Sequence, residues 1–506
     1  MVENATYVTF ILYLVVLLTV GIITYRMTNT LSDYILGGRN LNSWVAAFSA
    51  QASDFSGWLL IGLPGAAYAA GFGQWSLWIA VGLAIGAMFN WQYVAKRLRV
   101  YTQFSQDSIT LPEFLENRYH DKSSLLRVIA AAFILIFFLF YTASGLVAGA
   151  KLFEGTFNFD YQNALIIGAI IIVVYTFLGG FLAVSWTDFF QAALMFIALV
   201  VTAVYGTYQI GGFGELFSQL ADISPSLVDG FSGTAYDLEE SSSMPWISAG
   251  AIGFAGIISA LAWGLGYFGQ PHILARFMAI RSKNEVRKSR LIAITMGVVL
   301  PLYGALLVGM VGIVNIDQPL DDPEQVFIVL VQMTYNPWIA GFLLAAVLAA
   351  IMSTVDSQLL VSSSALTEDF YARFFRRKAS QKELVWVGRI AVLVIALVAV
   401  AIAWNEDSSV LELVSYAWAG FGATFGPAIL FSLFWRKTTR NGVLAGMLVG
   451  GITVFVWGFN DTLAGFLYEM VPGFILSTIA IIIFSSFGGK PGKEVEEEYD
   501  RVVKEM

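Results

Sequence analysis

Residues 44–70 read WVAAFSAQASDFSGWLLIGLPGAAYAA, an apolar block whose only charge, Asp54, lies ten residues from its start. At 1.5 Å per residue that is about 15 Å into the block, close to the midplane of a ~30 Å hydrocarbon core. Insertion scales put a charged Asp there at roughly 2.5–3.5 kcal/mol, so an acid in this place reads as functional by default. Its neighbours Ala52, Ser53, Ser56 and Gly57 are small or polar. Such a patch unwinds locally and exposes carbonyls and half-helix ends where a cation or a zwitterion can bind. The competing reading makes Asp54 a structural acid, paired inside a helix bundle or capping a half-helix.

Working outward, the chain holds twelve further apolar blocks of similar length: 6–26, 75–95, 125–153, 162–180, 185–208, 245–268, 291–315, 336–364, 386–404, 409–434, 441–460 and 463–486. The whole is 58% hydrophobic and 13% charged over 506 residues. Soluble domains carry about 25% charged residues, so a water-facing surface of this size is excluded. The expectation is an all-α polytopic membrane protein of about thirteen transmembrane helices. Residues 6–26 carry no preceding basic run and are of full membrane length, which predicts a retained helix rather than a cleaved signal.

Loop charge gives the orientation, because Lys and Arg in short loops stay cytoplasmic. With the N-terminus outside, the cytoplasmic segments are 27–43, 96–124, 269–290, 365–385, 435–440 and 487–506. They carry Arg39, Lys96, Arg97, Arg276, Lys283, Arg376, Arg377 and Arg436 among others. The long loops left outside, 209–244 and 316–335, contain no Lys or Arg and ten acids, Glu240 and Asp321 among them. The net charge of −8 gives no basic surface for nucleic acid. Gly442, Gly446 and Gly450 recur every four residues, which suits close helix packing. The tail from Gly488 reads as a frayed cytoplasmic helix without an assigned function.

Two more patches carry chemistry. Trp263-Gly264-Leu265-Gly266-Tyr267-Phe268-Gly269-Gln270-Pro271 is rich in helix breakers. Trp263 and Tyr267, four apart, share a face; they suit the ring and ammonium of a small amino acid, or alternatively pack at a helix end. Ser353 and Thr354, one turn after Ala350, offer neutral oxygens to a hard cation, although such hydroxyls also bond back to their own helix. The block 44–70 opens one set of five spans and 245–268 opens the next, the pattern of an inverted-repeat transporter. Zero cysteines and two histidines leave no thiolate chemistry and no histidine-rich metal site. There is no P-loop for an ATP-driven pump, and the interior acids are too sparse for a paired-carboxylate enzyme.

Eight stretches give a resemblance: SDYILGGRNLNSW (32–44), ASDFSGWLLIGLPGA (52–66), YTASGLVAGAKLFE (141–154), TFLGGFLAVSWTDFFQA (176–192), WGLGYFGQPHILARFMA (263–279), NPWIAGFLLAAVLAAIMSTVDSQLLVSSSALTEDFY (336–371), SQKELVWVGR (380–389) and LVSYAWAGFGATFGPAILFS (413–432). Together they resemble the sodium/solute symporter family, and within it the bacterial branch that carries proline. The resemblance implies a LeuT-like five-plus-five core over 44–434, with repeats 44–208 and 245–434 around the external loop 209–244. One helix precedes it in 1–43, two follow in 435–486, and a cytoplasmic tail occupies 487–506. It implies sodium-coupled uptake of L-proline across the bacterial inner membrane, with sodium as coupling ion, no organic cofactor, no enzymatic step, no nucleic acid and no obligate protein partner. Another small solute, such as pantothenate, a short carboxylate or another osmolyte, is the alternative.

Carried over by residue, the resemblance places sodium on the carbonyls of Ala52, Phe55 and Ala350 and the hydroxyls of Ser353 and Thr354, with Asp54 nearby. The family's proline carriers have methionine where this chain has Phe55, a change that a carbonyl ligand tolerates. Proline is expected against Ser56, Gly57, Tyr141, Trp263, Tyr267 and Pro271, with Arg39 and Asp188 along the cytoplasmic side of the pathway. The resemblance gives no role for Asp356.

The loop charges make one direct prediction. Reporter fusions after Asp229 and Asp321 report the outside, and fusions after Lys283 and Arg377 report the cytoplasm. A single inverted loop in that set breaks the thirteen-span topology.

Overall fold

In the computed structural model, the described residues are 4–25, 39–73, 75–178, 181–239, 241–376 and 378–506. Most of the first predicted cytoplasmic segment, together with Gly179, Gly180, Glu240 and Arg377, lies outside them. The fold is mainly helical. The principal helices are α1 (Asn4–Tyr25), α2 (Ser43–Asp54), α3 (Leu63–Ala70), α4 (Ser76–Phe89), α5 (Leu125–Phe157), α6 (Tyr161–Leu178), α7 (Phe181–Ile210) and α8 (Phe254–Leu261). They continue with α9 (Pro271–Ala279), α10 (Leu300–Asn315), α11 (Pro337–Ser364), α12 (Gln381–Ile402), α13 (Val410–Phe434), α14 (Arg440–Gly458), α15 (Met470–Phe487) and α16 (Lys493–Glu505).

Local chemistry sets many of these starts. The Asn42 side chain accepts from the Trp44 and Val45 amides at 3.0 and 3.1 Å to begin α2. Asn336 does the same for α11 ahead of Pro337 at the first helical position. Ser380 and Ser409 cap α12 and α13, each with a Glu three residues on.

Among the described residues, nine helical stretches are long and apolar enough to cross a bilayer. Four shorter apolar helices, Asn4–Thr19, Trp58–Ala70, Tyr161–Phe177 and Phe254–Gly269, fall on the four remaining predicted blocks. Burial separates the long ones. The apolar windows of α11 and α13 are 83% inside the protein, against 33–56% for the other seven, so these two form the centre. The outer helices turn side chains such as Phe190 and Leu397, 66% and 71% exposed, to the surroundings. In water such a surface would aggregate; in a bilayer it is the lipid-facing face.

The glycine series of α14 packs as expected. A Cβ on Gly442, Gly446 or Gly450 would sit 2.0 Å from Ser485 Oγ, 2.3 Å from Ile481 Cγ1 and 2.2 Å from the Ala423 carbonyl oxygen, so α14 lies directly against α15 and α13.

Three expectations change. The block 245–268 does not begin as helix: Trp246–Ala251 is a strand, β2, paired antiparallel with β1 (Ser232–Tyr236) in the connection between α7 and α8. Gly250 has φ +82°, which stops an early helix, and α8 starts only at Phe254. Apolar composition cannot tell strand from helix over so short a run. Secondly, the loops expected outside are partly helical, over Phe213–Ile223 and Val326–Thr334. Lastly, the tail helix α16 is docked instead of frayed. Val495 and Val502 are buried, Arg436 pairs with Asp500 at 2.9 Å, and Lys283 Nζ bonds the Glu505 carbonyl at 2.5 Å.

The connections collect at two ends. At one, Leu41 bridges Ile280, Arg39 Nη2 donates to the Ser108 carbonyl at 2.7 Å, and α16 lies across Arg97, Arg118 and Arg436. At the other, Tyr236 donates to the Leu320 carbonyl at 2.6 Å, and Glu324 accepts from Ser409 Oγ and from the Val410 and Leu411 amides. Glu324 also pairs with Lys151 at 2.7 Å.

Candidate functional site

Helix α2 ends at Asp54. Phe55 turns out of the helix with ψ 82°, and the chain resumes as a π-turn over Trp58–Gly62 that leads into α3. A break leaves carbonyls without helical partners, and in a dry interior these must be met by other groups. Trp58 Nε1 donates to the Asp54 carbonyl at 2.9 Å, and the Tyr141 hydroxyl of α5 donates to the same oxygen at 3.3 Å. Gly57 admits α5 to the break: a Cβ there would stand 2.3 Å from Ala148 Cβ.

On one side of the break α11 supplies oxygens. Ser353 Oγ donates to the Ala52 carbonyl at 2.8 Å and to that of Ala350 at 3.0 Å, and Thr354 Oγ1 donates to Ala52 at 3.1 Å. Ser353 does bond back to its own helix, yet it also crosses to the open end of α2. Two carbonyls and two hydroxyls thus form one connected group, fully buried. Each hydroxyl keeps lone pairs and can rotate its hydrogen away, so the set can change from donating to a carbonyl to coordinating a hard cation. Phe55, three residues past Ala52 and 3% exposed, lies at the same open end.

The Asp54 carboxylate points elsewhere. Its Oδ2 accepts from the Tyr267 hydroxyl at 2.6 Å, and its buried Oδ1 has no partner among the described residues. Tyr267 stands in an irregular 3-10 segment, Ala262–Gly269, between α8 and α9, where the sequence predicted a weak helix. Its carbonyl accepts from Asn90 Nδ2 at 2.9 Å. Ser56, Tyr141 and Tyr267 therefore converge around Asp54, each at most 1% exposed.

Trp263 lies apart from them, on the wall of a cavity of about 880 Å³ whose lining includes Glu412, Tyr416, Tyr468 and Glu469. Trp418 joins the two places. Its Nε1 donates to the Trp263 carbonyl at 2.7 Å, and its ring meets Tyr267 edge-on at 5.2 Å. Pro271 begins α9 and borders a different, small cavity of about 20 Å³ with Arg276 and Asp369. The structure thus divides the six expected solute residues among the break, the large cavity wall and the opposite side.

Arg39 and Asp188 belong to separate networks. Arg39 donates to the Met278 and Ser108 carbonyls at 2.7 Å and pairs with Asp107 at 3.0 Å, tying these segments together at one end of the bundle. Asp188 Oδ2 accepts from Ser49 Oγ at 2.7 Å and pairs with Arg276 at 3.3 Å. Arg276 Nη2 also donates to Ser357 Oγ at 2.5 Å, and Ser357 Oγ donates to the Ser353 carbonyl at 2.7 Å. One buried cation therefore links α2, α7, α9 and α11, a turn away from the oxygen group. By charge alone Arg276 groups with the basic loop residues; the apolar run HILARFMA around it is the sign of burial. Asp356 accepts from Thr176 of the neighbouring helix α6.

Comparison with known proteins agrees over nearly the whole chain. The profile described as "Sodium:solute symporter family" matches residues 34–450. A sodium/proline symporter of Escherichia coli K12 is 50% identical over 499 residues, 97% of this chain and 95% of that protein. A high-affinity proline transporter of Bacillus subtilis 168 is 47% identical, covering 96% of this chain and 98% of its own. Among solved structures, a sodium-coupled sialic acid symporter in a substrate-bound outward-open state has a TM-score of 0.77 at 18% identity, over 97% of this chain and 100% of that one. A nucleobase-cation-symport-1 family transporter gives 0.52 at 16% identity, over 93% of this chain and 98% of that one. These two share the fold, that of LeuT-like transporters.

The Arg276–Asp188 pair yields a stability prediction. Arg276→Gln strands a buried carboxylate and lowers stability by about 3–5 kcal/mol. Adding Asp188→Asn recovers part of that loss, read as thermal unfolding of the purified protein. A double variant less stable than Arg276→Gln alone contradicts the pairing.

Proposed function

Because the chain belongs to the sodium:solute symporter family, we propose that it takes up L-proline together with sodium by alternating access. It is a multi-pass membrane transporter, not an enzyme. The identity of about 50% to sodium/proline symporters over nearly full length carries the solute assignment. The buried oxygens of Ala52, Ala350, Ser353 and Thr354 support the place of the ion, with the Phe55 carbonyl as fifth ligand. They join the broken helix to α11, so an ion between them would stabilise one arrangement of the two and bias the transport cycle.

Proline would bind on the other side of the break. Ser56 and Gly57 start the second half-helix, whose amides and dipole suit a carboxylate. Tyr141 and Tyr267 would flank the ring and the ammonium, Trp263 would meet the solute from the wall of the large cavity, and Pro271 would shape the inner limit. Asp54, bonded to Tyr267, stands between ion and solute and would couple their charges; Arg39 and the Asp188–Arg276 pair would close the inner side.

The proposed topology is thirteen spans with the N-terminus outside and the C-terminus inside. Helix α1 precedes two five-helix repeats over 44–208 and 245–434, separated by the outer loop 209–244. The helices in 435–486 and the tail 487–506 follow. The four shorter apolar helices support this count when added to the nine long ones.

One sodium entering across about 100 mV supplies ~2.3 kcal/mol, and a tenfold gradient adds about 1.4 kcal/mol. At one-to-one coupling the sum supports roughly 500-fold accumulation.

In proteoliposomes, an inward sodium gradient drives saturable proline uptake that an inside-negative potential accelerates. Thr354→Ala raises the half-saturating sodium concentration roughly tenfold or more, the equivalent of about 1.4 kcal/mol, while uptake at saturating sodium changes less. Unchanged sodium dependence in Thr354→Ala removes the ion from this place, and sodium-driven uptake of another solute in preference to proline overturns the solute assignment.

A further inference from the structure

The segment between α14 and α15 lies outside the ten helices assigned to the transport core, and neither the sequence pattern nor the resemblance gives it a role. Its Tyr468 nevertheless reaches the proposed solute site. The Tyr468 ring stacks on Trp263 with centroids 5.7 Å apart and planes 19° from parallel. The Tyr468 hydroxyl donates to the Ser415 carbonyl of α13 at 2.6 Å, and its amide donates to Ser259 Oγ of α8 at 3.0 Å. Trp457 Nε1 in turn holds the segment, donating to the Leu463 and Leu467 carbonyls at 2.9 and 2.8 Å.

Trp263 also stacks on Trp418, at 6.4 Å and 26°. Its indole is therefore flanked by an aromatic from the core and an aromatic from the C-terminal segment. The run Tyr468, Trp263, Trp418, Tyr267 passes from the wall of the large cavity to Asp54 by ring contacts and one hydroxyl bond. Aromatic side chains have two side-chain torsions, so a neighbour that fixes the ring plane fixes most of the surface offered to a ligand.

We propose that Tyr468 is a positioning residue for the solute: its ring fixes the plane of Trp263, so the segment following α14 is part of the specificity apparatus. The inference rests on the reading that Trp263 touches proline. The two functions of Tyr468 are separable. Its ring orders Trp263, while its hydroxyl ties α13 to the segment. Substitution to Phe keeps the first and removes the second.

The test is equilibrium binding of radiolabelled proline to purified, monodisperse protein at saturating sodium. It compares the parent with Trp263→Ala, Tyr468→Phe, Tyr468→Leu, Tyr468→Ala and the Trp263→Ala/Tyr468→Ala double variant. Tyr468→Phe binds like the parent. Tyr468→Leu and Tyr468→Ala weaken binding roughly three- to tenfold, the range a lost aromatic stack supplies. The double variant binds no more weakly than Trp263→Ala alone, and the sodium requirement of the Tyr468 variants is unchanged. Tyr468→Leu, which keeps bulk, serves if the alanine variant does not fold.

Parental binding in Tyr468→Leu together with weak binding in Trp263→Ala overturns the role of Tyr468 and leaves the solute site standing. So does an additive double variant, or a Tyr468→Phe as weak as Tyr468→Leu. Parental binding in Trp263→Ala instead removes Trp263 from the solute site and this inference with it, and no proline binding by the parent overturns the substrate assignment itself.

Discussion

A carbonyl that loses its helical partner inside a bilayer has no water to turn to, and this constraint organises the centre of the protein. The break after Asp54 opens the end of α2. The Ala52 oxygen is met by Ser353 and Thr354 from α11, the Asp54 oxygen by Trp58 and Tyr141. Two helices far apart in sequence are thereby held by polar contacts that neither makes alone. The small residues nearby follow from the same demand. Gly57 lets α5 approach the break, and Gly86 and Gly264 lie backbone to backbone, a Cβ on the first standing 2.1 Å from the carbonyl oxygen of the second.

The same constraint makes the site responsive. Hydroxyl–carbonyl contacts are modest in net energy, roughly 0.5–1.5 kcal/mol each, and a cation that collects four or five oxygens at once replaces several together. Around this group the packing is less yielding. Trp418 is wedged between Trp263 and Tyr267, and a Cβ on Gly266 would strike its Nε1 at 1.9 Å. Arg276 ties its own helix α9 to three others through Asp188, Ser49 and Ser357, and also bonds the His272 carbonyl of α9. A yielding oxygen group set within stiff aromatic and ionic struts suits a protein that must move as bodies rather than melt.

The features legible in the sequence were those with a local cause. The polar patch at Asp54 and the glycines from Gly264 to Gly269 break helices wherever they occur, so both interruptions were predicted in place. The acidic and basic loops sorted themselves to the two ends for the same reason. Residues whose role depends on a distant partner were hidden. Arg276 looked like one loop charge among six, because only the fold brings Asp188 to it. Trp418 and Tyr468 were two aromatics in a chain that is 15% aromatic, with nothing nearby to single them out. The hairpin strand Trp246–Ala251 was read as helix because six apolar and small residues fit either structure. The tail looked polar and free, since the contacts that dock it lie on Arg97, Lys283 and Arg436, far earlier in the chain.

In the proposed mechanism, sodium sits between the open end of α2 and the hydroxyl pair of α11. The most direct measurement is a high-resolution structure determined in sodium and again in choline, with no solute added. Density bounded by the Ala52, Phe55 and Ala350 carbonyls and the Ser353 and Thr354 hydroxyls is expected in the sodium map and disappears in choline. Sodium density lodged elsewhere, with the two hydroxyls still bonded to the Ala52 carbonyl, would contradict it.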